Sequence, residues 1–265
     1  MQLDTNILQI DNLSKYFGGL AAVSDCSLKI KRGSITGIIG PNGSGKTTLF
    51  NLIAGNLKTS KGTVLFNNED ITDVPSYELF SKGLLRTFQI AHEFTNLTVL
   101  ENLMMVPGKQ SGEKLTNALF SSKIVRQEEE KIKQKALEVI EFLNLKQLST
   151  ELAGNLSGGQ KKLLELGRTM MVDAKLVLLD EVGAGVNRTL LKDIGSAILR
   201  LNKEKGYTFC MIEHDMDFIS RLCDPVIVMA EGSVLFKGTS DEVKNNEQVI
   251  ESYLGRGSKT GNGAR

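Results

Sequence analysis

Net charge is the first thing this 265-residue chain has little of: 32 Lys and Arg stand against 31 Asp and Glu, a formal +1. Charges so balanced offer no basic footprint of the kind that neutralises a phosphate backbone, which argues against a nucleic-acid partner. Long apolar runs are missing too. None approaches the ~20 residues that cross a bilayer, so any membrane role has to come through a partner. The start, MQLDTNILQIDNL, has early acids and no basic region followed by an apolar stretch, and no signal peptide is expected. The three cysteines, Cys26, Cys210 and Cys223, are odd in number and far apart. They show neither metal-ligand nor disulfide spacing and read as structural thiols in a reducing cytosol. Histidine occurs only as His92 and His214.

What is present is enough to bury a substantial core: 41% of the residues are hydrophobic. Short alternating runs at 7–10 and 26–30 read as strands, with Gly18-Gly19 as a turn between them. A buried-type β run at 34–39 meets a glycine-rich turn and then a helix over 47–54. A further strand at 62–66 is closed by Asn67-Asn68. The middle changes character. Residues 99–105 and 123–143 read as helices, the second with Ile132, Ala136, Val139, Ile140 and Leu143 at i, i+4, i+7 spacing. The charge run Gln127-Glu128-Glu129-Glu130-Lys131 reads as a solvated helical face. The α/β alternation returns after Leu156, with strands at 175–179 and 207–212, helices at 188–203 and 216–222, and a hairpin around Glu231-Gly232. The layout is an α/β fold. A core over 1–90 and 160–255 pairs a mixed sheet with an antiparallel β lobe. An all-helical subdomain is inserted at 91–159, and a Gly/Ser/Lys-rich tail follows at 256–265, expected to be flexible.

Gly40-Pro41-Asn42-Gly43-Ser44-Gly45-Lys46-Thr47 matches the phosphate-loop pattern G-x-x-x-x-G-K-[ST]. Its glycines let successive backbone N–H groups point at phosphate oxygens. The helix that follows brings its positive end to the same place. Lys46 supplies a point charge for the β- and γ-phosphates, and Thr47 a hydroxyl for Mg²⁺. The strand–loop–helix context is the one this motif requires, so nucleotide binding is expected.

Leu176-Val177-Leu178-Leu179-Asp180-Glu181 is an apolar strand tipped by two carboxylates. Ligands of open α/β sheets sit at the carboxyl ends of strands. Asp180 is therefore expected to face the metal, and Glu181 to orient or deprotonate a water, which is adequate chemistry for phosphoryl transfer. His214 follows the 207–212 strand and is expected near the γ-phosphate. His92 has no such context and reads as a surface or interface residue.

Leu156-Ser157-Gly158-Gly159-Gln160 is the second strong signal. Ser157 is placed to cap a helix starting near Gln160, and the glycines expose backbone N–H groups beside it. This order of motifs, over residues 7–254, resembles the ABC-transporter ATPase family. Further carriers of the resemblance are Phe17, Gln89, Ala184-Gly185-Val186-Asn187 and His214. Within the family the chain is most similar to the branched-chain amino-acid uptake ATPases. Tyr16-Phe17-Gly18-Gly19-Leu20-Ala21-Ala22-Val23, Arg86-Thr87-Phe88-Gln89, Leu97-Thr98-Val99-Leu100-Glu101-Asn102-Leu103, Ile212-Glu213-His214-Asp215-Met216 and Val249-Ile250-Glu251-Ser252-Tyr253-Leu254-Gly255 carry that finer likeness.

The resemblance implies an ABC ATPase fold, with ATP and Mg²⁺ as ligands and hydrolysis coupled to transport. It assigns nucleotide binding to Phe17, stacked on adenine, to Val23, and to Asn42, Gly43, Ser44, Gly45, Lys46, Thr47 and Thr48. Ser157, Gly158, Gly159 and Gln160 would cover the nucleotide held by a second ATPase subunit in a head-to-tail sandwich. Thr47, Gln89 and Asp180 would hold the metal, and Glu181, His214 and Gln89 would act in catalysis, with Glu181 as general base. A groove around 89–102 would receive a coupling helix of an integral-membrane permease, and a periplasmic solute-binding protein would take part indirectly. The chain would thus lie peripherally on the cytoplasmic face of the plasma membrane. The sequence departs from the usual pattern at Val182, where proline is common, at Val186-Asn187-Arg188, and at Lys161-Lys162. Cargo stays open: a lipopolysaccharide or lipid exporter or a urea or amide importer would share this chemistry. A soluble ABC ATPase outside transport is the more remote reading.

Overall fold

The computed structural model describes residues 5–87, 94–108 and 122–254. The expected tail at 256–265, Gln89 and His92 lie outside them. The alternating runs near the start form one long hairpin, β1 (Asn6–Phe17) and β2 (Leu20–Lys31). Both strands outrun the short segments expected from alternation. The ladder shifts register between Ile10 and Leu13 and again between Leu13 and Lys15, and such bulges break a period-two pattern without ending the strand. With β4 (Lys61–Phe66) and β5 (Glu69–Asp70) they make an antiparallel sheet in the order β2-β1-β4-β5. Asn67 and Asn68 close the β4–β5 hairpin at φ 50° and 64°, the paired left-handed values that asparagine tolerates best after glycine.

The second sheet has six strands: β3 (Ile35–Ile39), β6 (Leu84–Arg86), β7 (Leu176–Asp180), β8 (Thr208–Ile212), β9 (Val226–Ala230) and β10 (Ser233–Gly238). Their order is β10-β9-β3-β8-β7-β6, parallel except for β10, which returns antiparallel to β9. Every residue of β3, β7 and β8 is buried, as strands covered on both faces must be. Helix α1 (Lys46–Ile53) packs Leu49, Phe50, Leu52 and Ile53 into an apolar cluster. That cluster also holds Ile7, Leu8 and Ile10 of β1 and Ile38, Leu178 and Ile212 of the parallel sheet. Cys26 and Cys210 lie within it, and burial pushes the thiols of Cys26 and Cys223 up to about 12.

These sheets belong to one unit, made of Met1–Arg86, Lys175–Gly183 and Leu199–Arg265. Helix α2 (Ser76–Lys82) and, at its C-terminal end, α7 (Met216–Leu222), α8 (Ser240–Asn245) and α9 (Glu247–Leu254) belong to it as well.

The other unit comprises Thr87–Ala174 and Ala184–Ile198. It contains α3 (Val99–Met104), α4 (Ser122–Phe142) and α5 (Gly158–Met170), and the first part of α6 (Arg188–Lys205). Its inner faces follow the expected helical spacing: Ala136, Val139, Ile140 and Leu143 are buried. A Cβ on Gly167 of α5 would lie 2.8 Å from Leu143 and 3.2 Å from Leu103, so this small residue sets how closely the helices approach. The sequence division left residues 160–174 with the core. Here they fall in the helical unit: residues 160–170 belong to α5, which begins at Gly158 and carries its apolar stripe on without a break.

Candidate functional site

The parallel ladder brings the expected chemistry to one edge. Ile38 of β3 pairs with Ile212 of β8, and Ile212 pairs with Asp180 of β7. The three strands therefore end level. The phosphate loop leaves β3, Glu181 leaves β7, and Glu213-His214 leaves β8 side by side.

The loop is shaped by contacts that side chains would forbid. Gly40 sits at φ 151° and a Cβ there would fall 2.1 Å from the Met229 carbonyl. Gly45 sits at φ 97° and a Cβ would fall 2.4 Å from the Ala22 carbonyl. Gly45 is also the N-cap of α1, and no side chain caps that helix end. The positive end of the helix dipole therefore lies at this uncapped start. The Lys46 ammonium is buried and donates to the carbonyls of Gly40 at 2.9 Å and Pro41 at 3.1 Å. Thr47, Asn42 and Gly43 face solvent, Ser44 is buried, and Thr48 is half-buried.

Asp180 is 2% exposed and forms an ion pair with Arg86 at 2.7 Å. The same guanidinium donates to Asn51 of α1 at 2.5 Å and lies 6.0 Å from the Phe50 ring centre. Arg86 thus ties the phosphate-loop helix to the acidic end of β7. Breaking a buried pair by removing one partner typically costs ~3–5 kcal/mol. The sequence motif contained Arg86 but assigned it nothing; the cue was an arginine closing a short apolar strand. Asp180 and the Thr47 hydroxyl are hard oxygen donors. One carboxylate with one hydroxyl suits Mg²⁺ shared with substrate phosphates better than an all-protein cage. Gln89, the third expected ligand, lies outside the described residues.

Glu181 takes φ 48°, a left-handed turn immediately after the strand. Its amide is bound to the Ile212 carbonyl at 2.9 Å. This turn places Glu181 Oε1 3.1 Å from His214 Nε2, so the two expected catalytic side chains meet, the His214 side chain half exposed. Glu213 was not singled out. It is 4% exposed, and its carboxylate accepts the Gly183 amide at 2.8 Å and hydrogen bonds from the Val182 and His214 amides. Burial pushes its pKa up, chiefly against those bonds.

Elsewhere in the sheet unit, Phe17 ends β1 with its ring exposed and Lys15 5.2 Å above it. Tyr16 is exposed as well, and Val23 is fully buried. A solvent-facing ring is free to stack; Val23 acts through packing.

In the helical unit, Ser157 is the N-cap of α5, which begins at Gly158 rather than near Gln160. Ser157 and Gln160 form a reciprocal capping box: the Ser157 amide donates to Gln160 Oε1 at 2.9 Å, and the Gln160 amide to Ser157 Oγ at 3.4 Å. Gln160 is thereby committed to the cap. Ser157 and Gly158 are exposed, whereas Gly159 is buried, with a Cβ position only 2.1 Å from Leu190 Cδ2. In the stretch expected to form a groove, Asn102 is fully buried and not on a surface. It accepts from the Phe94 amide and donates to the carbonyls of Phe94, Leu97 and Thr98, so it organises the turn before α3. Phe94 is exposed, with Arg168 5.7 Å from its ring centre. Among the described residues no helix is long and apolar enough to cross a membrane.

Comparison with known proteins shows the family and the fold. Residues 23–184 match the family described as ABC transporter, and residues 233–259 match that of the branched-chain amino acid ATP-binding cassette transporters. A probable branched-chain amino acid transport ATP-binding protein LivG of Archaeoglobus fulgidus is 43% identical over 249 residues, 94% of this chain and 95% of its own. The high-affinity LivG protein of Escherichia coli K12 is 32% identical over 249 residues, 94% of this chain and 98% of its own. A solved ATP-binding cassette of an ABC transporter in its ADP conformation superposes with a TM-score of 0.81 at 40% identity, covering 95% of this chain and 100% of that one. A nucleotide-free cassette gives 0.79 at 41% identity, covering 93% and 98%.

Proposed function

This chain belongs to the ABC transporter family and is one of its ATP-hydrolysing subunits, and we propose that it powers the uptake of branched-chain amino acids through a membrane permease. The observation that carries the catalytic part is the level ending of β3, β7 and β8, which sets the phosphate loop beside the Glu181–His214 contact. The loop amides and Lys46 bind the phosphates, and Phe17 stacks on the base. Thr47 and Asp180, with Gln89, would hold Mg²⁺, which neutralises phosphate charge when bound. Glu181 takes the proton of the attacking water, while His214 holds that carboxylate in place and contacts the γ-phosphate. Ser157 and Gly158 serve the nucleotide of a second ATPase subunit, a second copy or a sister chain. The Ser157 oxygen accepts within the cap, so its O–H proton remains available to donate outward. The chain then sits on the cytoplasmic face of the membrane through its permease. The finer assignment of cargo rests on the relatives' names and on the C-terminal match at 233–259.

Glu181→Gln is expected to keep ATP binding, to slow turnover about a thousandfold, and to accumulate an ATP-bound dimer. Undiminished hydrolysis would remove Glu181 as the base. For cargo, the complex is captured intact and its subunits identified. Two multi-spanning permeases, with uptake of labelled leucine that is lost in the Lys46→Ala chain, support the reading. A complex that moves no branched-chain amino acid sinks it.

A further inference from the structure

Glu213 is buried directly before exposed His214, and a buried carboxylate is costly unless its oxygens are satisfied. Among the described residues it has no ion pair. Backbone donors satisfy it: Gly183 at 2.8 Å, with Val182 and His214. Two of those amides belong to the segment just after Glu181. Glu181 itself holds φ 48°, a left-handed conformation that is strained for a non-glycine residue and persists only where neighbours enforce it. Two enforcers are visible, the last residue of β8 and the residue that follows it. The Ile212 carbonyl holds the Glu181 amide at 2.9 Å, and the next side chain, Glu213, gathers the amides that follow. The same strand end then presents His214 to Glu181 at 3.1 Å.

We propose that Glu213 is a positioning residue for hydrolysis: an acceptor-only anchor that draws in the 182–183 amides, enforces the left-handed turn at Glu181 and so keeps the Glu181 carboxylate against His214. An acceptor-only group is what converging N–H groups require. A glutamine can satisfy one of them, but its amide nitrogen faces the others as a second donor. The inference rests on Glu181 being the base.

Glu213→Gln, Glu213→Ala and Glu181→Gln are made singly in the full chain, together with the Glu181→Gln/Glu213→Ala double variant, in complex with the permease subunits. The expected result is ATP affinity within about twofold of the parent. Turnover falls about tenfold in Glu213→Gln and about a hundredfold in Glu213→Ala, the scale of an ångström-sized misplacement of a reacting group. Amide exchange at 182–183 rises in Glu213→Ala. In the Glu181→Gln background, adding Glu213→Ala changes the residual turnover less than twofold, because residues acting as a unit are not additive. If Glu213→Ala does not fold, Glu213→Gln decides by its loss of turnover at unchanged KM and unchanged melting temperature. Parental turnover in either Glu213 variant, or a full multiplicative loss in the double variant, overturns the proposal. Parental turnover in Glu181→Gln alone identifies failure of the base assignment instead.

Discussion

Two helix starts in this chain are made of glycine and small polar residues, and they are finished in opposite ways. Helix α1 begins after Gly45, in a left-handed conformation, with no side-chain cap. Helix α5 begins after Ser157, in an extended conformation, with a complete capping box. The first end has no side-chain cap and is surrounded by a loop that tolerates no Cβ at Gly40 or Gly45. It is built for an anion. The second end satisfies its own amides and presents an O–H and an exposed glycine to solvent. It is stable by itself and offers a donor to something outside. On the proposed reading the two similar short motifs hold different positions in the reaction: one would bind the nucleotide, and the other would complete the site of a second subunit.

The contrast breaks most easily at Lys46. Lys46→Ala removes the buried ammonium and its bonds to Gly40 and Pro41. Loss of a charge-assisted contact to phosphate is expected to weaken ATP binding about a hundredfold, ~2.7 kcal/mol. Isothermal titration with ATP reads this directly, and parental affinity would mean that the open helix end alone holds the phosphates. The glycine pair of α5 sharpens the contrast next. A Cβ on Gly159 overlaps Leu190 Cδ2 at 2.1 Å and Cγ at 2.6 Å, whereas one on Gly158 meets nothing nearer than 3.8 Å. Gly159→Ala is expected to cost ~1–3 kcal/mol by overpacking. Gly158→Ala should unfold like the parent yet lose turnover. Thermal unfolding of both, run beside ATP hydrolysis, separates packing from reach; a destabilised Gly158→Ala would contradict the exposed placement.

Much of this was legible in the sequence for a physical reason. The phosphate loop, the acid-tipped strand and the Ser-Gly-Gly helix start are local: backbone conformation and charge are set within eight residues. Most strands among the described residues follow from apolar runs; bulges in β1 hid its length, β5 is only Glu69-Asp70, and β6 was too short to show a period. What stayed hidden depends on register. Nothing in the run Ile212-Glu213-His214 says that Glu213 turns inward to the Val182 and Gly183 amides while His214 turns out to Glu181. That follows only once Ile212 pairs with Asp180. Arg86 is a similar case, since its partners Asn51 and Asp180 lie on α1 and β7. Asn102 ends the stretch where the family resemblance implies a groove, yet it is consumed by four backbone contacts around Phe94.

The smallest effect tests the second helix start most closely. Ser157→Ala deletes an acceptor whose bond to the Gln160 amide is 3.4 Å long, at the weak end for such contacts. The reciprocal bond, from the Ser157 amide to Gln160 Oε1 at 2.9 Å, uses the backbone and survives. The stability lost is therefore expected near the lower end for a cap, ~0.5–1 kcal/mol, a drop in melting temperature of roughly 1–4 °C. If the hydroxyl served only the cap, turnover would follow that small change, and at room temperature it would barely move. If its proton is donated to a nucleotide on another subunit, turnover falls at least tenfold while ATP binding to the chain's own phosphate loop stays parental. Ser157→Thr keeps the acceptor and the proton and is expected to recover both properties. A Ser157→Ala chain with parental turnover would reduce the α5 start to a structural cap, and the difference between the two helix starts would then be one of folding, with no bearing on the reaction.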